Sequence, residues 1–173
     1  MQVIDRIEEQ YKKATRSSAK TDVEDMDILD KLGKEHDEVQ ALLGQLVESE
    51  KAAERTRLLK QIKAALVPHT KAEQKVVYDR VLKLKDKDAK IDGNEGYLEH
   101  EIAERTLTQL GKISNRTSPE FSAAAKVLKE LVNHHIQEEE NAIWSDVKDN
   151  FSDQDRIAMN REFEAAKKRV KVA

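Results

Sequence analysis

Two stretches decide how this chain is read: PHTKAEQKVVY at residues 68–78 and HHIQEEENAIW at residues 134–144. A shift of 66 places (135 minus 69) lays His135 on His69, Glu139 on Glu73, Ile143 on Val77 and Trp144 on Tyr78. The match extends in both directions, with Leu128 on Ile62, Val132 on Leu66 and Val147 on Val81. In each stretch His and Glu stand four apart, which on a helix places them one turn apart on one face. That face is the apolar one: Ile62, Leu66, His69, Glu73 and Val76 step four, three, four, three. An unpaired imidazole and carboxylate inside an apolar stripe are costly. A metal ion removes the cost, because both side chains are ligands and a carboxylate can bridge two ions.

The helices preceding these stretches repeat as well. A shift of 64 places (100 minus 36) lays Glu99-His100 on Glu35-His36, Leu107 on Leu43, and Gln109-Leu110 on Gln45-Leu46. The repeated unit is therefore a helix pair, with one His on its first helix and His-x-x-x-Glu on its second. Apolar residues of any two amphipathic helices can be aligned. That does not account for four histidines and two glutamates falling at matched registers.

Periodicity predicts the remaining elements. Leu29, Leu32, Val39, Leu43 and Leu46 form one stripe over 26–47, with His36 in the vacant place. A second helix starts near Ala52 and carries apolar residues to Leu84; Pro68 is expected to interrupt and kink it just before His69. Residues 85–96, KDKDAKIDGNEG, read as a polar linker, followed by a third helix from Tyr97 to Ile113. Ser118 is an N-cap with Pro119 at the first helical position of a fourth helix that runs through Val147. Ser152 with Asp155 starts a last helix bearing Ile157, Met159 and Phe163, and a short helix is expected near Val3–Lys13. The expected fold is all-α: an up-down-up-down four-helix bundle with an extra helix at each end. Its parts would be an N-terminal helical extension over 1–25, a bundle over 26–150 with halves 26–84 and 97–148, and a C-terminal helix over 151–173 packed on the bundle.

Composition bounds the function. With 31 Lys and Arg against 34 Asp and Glu, net charge is −3, and no basic stripe suggests a nucleic-acid partner. No apolar run reaches the roughly 18–20 residues of a membrane span. The N-terminal stretch lacks a hydrophobic signal core, so a cytoplasmic location is expected. There is no cysteine, so any metal centre must be built from imidazole and carboxylate.

All five histidines lie in the repeat. His100 and Glu104 form a third pair four apart, where the first half has Gln40. The candidate metal ligands are His36, His69, Glu73, His100, Glu104, His135 and Glu139. Four imidazoles and three carboxylates suit two first-row ions, iron first and manganese or zinc after. Magnesium and calcium prefer all-oxygen shells. His135 matches His69, which leaves His134 as a flanking residue or an alternative ligand; Glu138 and Glu140 read as solvated or peripheral. Tyr97, one turn before His100, reads as a packing residue or a hydrogen-bond donor near the centre. Tyr78 and Trp144 read as packing at the core edge.

At these residues the chain resembles the hemerythrin-like HHE cation-binding family. PHTKAEQKVVY and HHIQEEENAIW resemble its two His-x-x-x-Glu motifs, and EHDEVQALLGQL and EHEIAERTLTQL hold its single histidines, so the likeness covers about Asp27 to Lys168. The resemblance implies a four-helix bundle around two oxo- or hydroxo-bridged irons. His36, His69 and Glu73 would sit with one iron, His100, His135 and Glu139 with the other, and Glu73 and Glu139 would bridge. Oxygen-carrying hemerythrins have His-x-x-x-His on the third helix, whereas this chain has Glu104, which would favour the ferric state over reversible oxygen carriage. Relatives in iron–sulfur repair carry a cysteine-containing N-terminal segment, and this chain has no cysteine. The function implied is binding and reaction with oxygen, peroxide or nitric oxide in a stress response. A non-catalytic oxygen or iron sensor or carrier is the alternative, and either a monomer or a homodimer is compatible.

Overall fold

The computed structural model describes residues 25–172, which are all-helical with no strand among them. The helix expected near Val3–Lys13, and with it the 1–25 extension up to residue 24, lies outside the described residues. Four long helices are α1 (Ile28–Glu48), α2 (Ala52–Glu73), α4 (Lys87–Lys112) and α5 (Pro119–Asn141). Between α2 and α4 lie a π-helical turn, Gln74–Tyr78, and a single α-turn, α3 (Asp79–Val81). Two shorter helices follow, α6 (Ile143–Asn150) and α7 (Asp153–Lys167). Helix α1 packs on α2 and α5, and α4 packs on α5 and α2, so the long helices close a ring; α7 lies across α1 and α2. No described helix is long and apolar enough to cross a membrane.

Helix starts follow their caps. Asp27 accepts from the Leu29 amide at 2.9 Å, and Ser118 accepts from the Phe121 amide at 3.1 Å with Pro119 at the first turn. Ser152 and Asp155 form a reciprocal capping box at α7. At one end of the ring the buried Arg55 donates to the Ser49 carbonyl at 2.5 Å and the Arg116 carbonyl at 2.7 Å. It thereby ties the α1–α2 turn to the α4–α5 loop.

Two expectations need correction. Residues 85–96 are not a linker beyond their first two positions: Asp86 caps α4, accepting from the Asp88 and Ala89 amides at 2.8 and 3.0 Å, and the helix runs from Lys87. The glycines that suggested a turn serve close packing instead. A Cβ at Gly93 would lie 3.2 Å from Leu82, and one at Gly96 would lie 2.7 Å from the Tyr78 ring. Helix α2, for its part, continues unbroken past Pro68, and its register changes later, at the π-helical turn after Glu73. The second half changes at the equivalent place: α5 ends at Asn141 and restarts at Ile143 across Ala142, just after Glu139. Irregular turns of this kind recur at functional sites.

The core has two apolar clusters. One is built on Leu43, Leu46, Leu58, Ile62, Leu110, Phe121 and Leu128, the other on Ile28, Leu32, Val77, Tyr78, Val81 and Phe163. Along each long helix the histidines and glutamates fall between the two. The packing makes a prediction. Gly96→Ala should lower stability by about 1–2 kcal/mol, because the buried Tyr78 ring cannot yield to the new methyl. Gly44→Ala meets nothing within 4 Å and should gain up to about 1 kcal/mol of helix propensity. Denaturant melts of the two variants should shift in opposite directions.

Candidate metal centre

Six buried polar side chains meet in the layer between the apolar clusters: His36, His69, Glu73, His100, His135 and Glu139. Glu73 is fully buried and Glu139 is 2% exposed. Each glutamate reaches one histidine of its own helix and one of the other half. Glu73 Oε2 is 3.4 Å from both His69 Nε2 and His100 Nε2. Glu139 Oε2 is 3.4 Å from His36 Nε2 and 3.5 Å from His135 Nε2. The internal repeat is therefore an approximate two-fold arrangement around the centre. His100 Nε2 and His135 Nε2 face each other at 2.9 Å, so one of them presents a lone pair.

A second layer aims the imidazoles. His69 Nδ1 donates to Glu35 Oε2 at 3.0 Å, and His135 Nδ1 donates to Glu99 Oε2 at 2.7 Å. These are again repeat equivalents. His36 Nδ1 donates to Glu140 Oε1 at 2.9 Å. A proton held on Nδ1 leaves Nε2 directed at the centre, the arrangement by which outer carboxylates orient ligand histidines. Glu35 and Glu99 were missed as functional residues, although a signal was present, since each immediately precedes a histidine at matched places in the repeat. Glu140, read from sequence as solvated or peripheral, is exposed but still holds His36.

The electrostatics follow the geometry. Burial opposes charge on His69, but the Glu73 charge and the hydrogen bond to Glu35 outweigh it and raise its pKa to about 10. Burial likewise opposes ionisation of Glu73, yet the His69 charge holds its pKa at about 2. His100 goes the other way, pulled well below the usual imidazole range by burial and by the neighbouring His135.

Three sequence-singled residues lie elsewhere. The Glu104 carboxylate is not brought into the cluster: it accepts from Thr70 Oγ1 at 2.9 Å and pairs with Lys71 Nζ at 2.8 Å. The reason is register, since Thr70 and Lys71 on α2 face that turn of α4. His134 is largely exposed, and its Nε2 is 3.6 Å from Glu99. Tyr97 donates to the Gln74 carbonyl at 3.1 Å and to Asp79 at 2.7 Å, pinning the π-helical turn to α4 instead of reaching the centre.

Tyr78 and Trp144 lie closer to the site than core-edge packing suggests. Tyr78 stacks on His100 with ring centroids 5.2 Å apart, and its Oη is 3.5 Å from His100 Nε2. Trp144 stacks on His36 at 6.0 Å. Tyr78 closes the π-helical turn and Trp144 follows the break at Ala142, and each covers the single histidine of the opposite half. Phe163 of α7 sets its edge against His69 at 5.8 Å.

The donor set fits a cation. Both oxygens of Glu73, both oxygens of Glu139 and His36 Nε2 are buried without a hydrogen-bond partner among the described residues. Buried carboxylates left so are expensive. His36, His69 and Glu73, and likewise Glu73, His100 and His135, bring ligand atoms within 4.8 Å of one another. Imidazole with carboxylate and no thiolate is a first-row transition-metal donor set.

Comparison with known proteins agrees. A curated DNA nickase from Nostoc sp. (strain PCC 7120 / SAG 25.82 / UTEX 2576) is 29% identical over 150 residues, covering 87% of this chain and 42% of that protein. The chain thus spans less than half the length of that relative. No solved structure matches. Residues 27–145 match the hemerythrin HHE cation binding domain, and the chain belongs to that family.

Proposed function

We propose that this chain is a non-haem di-iron protein, built on an up-down-up-down four-helix bundle, that binds and reacts with dioxygen, peroxide or nitric oxide in protection against oxidative or nitrosative stress. One observation carries the reading: four histidines and two hydrogen-bond-free buried carboxylates converge with two-fold regularity. In this reading His36 and His69 would hold one ion and His100 and His135 the other, with Glu73 and Glu139 as the carboxylate ligands. Glu104 stays with Thr70 and Lys71. Iron suits the donors best, with manganese or zinc as substitutes. Bound iron supplies the electrons exchanged with a small ligand.

The protein's own residues supply the rest. Glu35, Glu99 and Glu140 hold three imidazoles in register. Phe163, Trp144 and Tyr78 wall the centre from water. Burial, with the charges of Glu139 and Glu73, pushes the Tyr78 hydroxyl well above its ordinary pKa. It therefore keeps its proton and can donate it in a hydrogen bond beside His100.

The test is metal per chain and the optical spectrum after iron-supplemented expression, followed by mixing with peroxide or nitric oxide. A rapid reaction lost in His69→Ala and His135→Ala supports the proposal. Fewer than one iron, manganese or zinc per chain sinks it. A stable, reversible oxygen adduct favours the carrier or sensor alternative.

The similarity to a DNA nickase over 87% of the chain raises a second reading, metal-assisted cleavage of a DNA strand. More than half of that relative lies beyond the match. Carboxylates also line the cleft beside His135, where they repel phosphate. Supercoiled plasmid incubated with the iron-loaded protein should show no nicking above an iron-only control; nicking lost in His135→Ala would establish this second reading.

A further inference from the structure

Two clefts reach the histidine layer from outside, each beside one of the repeat-equivalent Glu–His pairs. One opens between α1 and α2 beside Glu35 and His69; the other opens between α4 and α5 beside Glu99 and His135. Their charges differ. The first, a cavity of about 390 Å³, has Lys167 among its lining residues, and Lys167 is ion-paired to Glu35, the carboxylate that holds His69. The second is narrow, about 20 Å³, and is lined by Asp92, Glu95, Glu99, Glu138 and Glu139, with no lysine or arginine among the described residues. At its inner end stands Glu139, 2% exposed, with neither oxygen hydrogen-bonded. The acidic field extends outward. The carboxyl of Asp92 is raised by partial burial and by Asp88, Asp86 and Glu138, and that of Asp146 by partial burial and by Asp92 and Asp86. A cleft lined by one sign of charge concentrates counter-ions and speeds their arrival.

We infer that the acidic cleft between the start of α4 and the end of α5 is the uptake path for divalent cations into the centre, with Asp92, Glu95 and Glu138 as its outer carboxylates and Glu139 as the receiving ligand. The cleft at Lys167, whose Glu35 carboxylate is paired with that lysine, lacks such a run of unneutralised carboxylates and is not that path. The inference rests on the metal reading above. It assigns a role to three residues that reading does not use.

Co2+ is the probe, mixed rapidly with metal-free protein and followed by its visible absorption. The variant D92N/E95Q/E138Q neutralises the cleft. The variant E48Q/E50Q/E120Q makes the same change in net charge near the opposite end of the long helices. The cleft variant should take up Co2+ about tenfold more slowly at low ionic strength, with the difference shrinking as salt is added. Its final stoichiometry and spectrum should equal those of the unaltered protein, which also shows that it folds. The control variant and Glu38→Gln, at the Lys167 cleft, should load at the unaltered rate. Equal rates in the cleft variant and the unaltered protein, or equal slowing in the control, overturn the path while leaving the metal reading intact. An unaltered protein that binds no Co2+, iron, manganese or zinc overturns both.

Discussion

Replacing Glu73 with alanine is expected to empty the whole centre. Glu73 Oε2 is 3.4 Å from a histidine of each half, and Glu73 belongs to both groups of converging ligand atoms. Glu139 makes the matching contacts to His36 and His135, but among the described residues Glu73 alone belongs to both groups. His69→Ala removes a donor from one group alone, so it should cost about one ion per chain and leave the other. Glu35→Gln and Glu99→Gln should retain both ions at saturating metal but weaken them roughly 10–100-fold, the usual cost of losing a carboxylate that orients a ligand histidine. Metal content after desalting, with a titration for each variant, measures all four. Two ions retained in Glu73→Ala would show that Glu73 does not bridge.

Loading the metal-free protein at pH 7 should release protons, and metal removal should cost more stability as pH rises. His69, with its pKa raised to about 10, carries protons on both nitrogens at pH 7. Nδ1–H is held by Glu35, so the Nε2 proton is the one a cation must displace. Glu73, held at about 2, has no proton to give. At least one proton per chain should therefore appear in weakly buffered solution, and affinity should rise about tenfold per pH unit for each proton released.

The sign for the metal-free fold follows from the same shifts. Stabilisation from His69 is complete below its ordinary pKa of 6.5 and is lost as pH climbs through about 10. That from Glu73 is complete above 4.5 and lost as pH falls through about 2. Bound metal, by contrast, stabilises more at higher pH. At a thousandfold excess over Kd it should add about 4 kcal/mol, roughly 10 °C in Tm for a chain of this size. Calorimetry with and without chelator should show the gap widening from pH 6 to pH 8; a constant gap would mean that His69 binds neutral.

The sequence was most legible where geometry is local. Residues four apart on a helix share a face whatever surrounds them, so His69 with Glu73 and His135 with Glu139 could be paired directly. The apolar stripe showed that this face is inward, and the repeat supplied His36 and His100. The same spacing misled at Glu104, because a shared face does not decide which neighbour a long side chain meets. Thr70 and Lys71 stand opposite it and take it away from the centre. The glycines of 85–96 misled for a similar reason. Gly96 marks the close approach of Tyr78, which lies 18 residues earlier (96 minus 78) and on another element.

The sequence by itself determined the helical class and the duplicated helix pair, and its seven candidate ligands included the six side chains that share the buried layer, because these follow from periodicity and from cost: apolar stripes must be buried, and polar groups within them must find a partner. The tertiary structure alone decided that each glutamate crosses to the other half, that Glu35, Glu99 and Glu140 aim the imidazoles, that Tyr78 and Trp144 cover them, and that a lysine lines one of the two clefts beside the histidines while carboxylates crowd the other. Those contacts join residues far apart in the chain, and no spacing rule reaches across the packing of one helix on another.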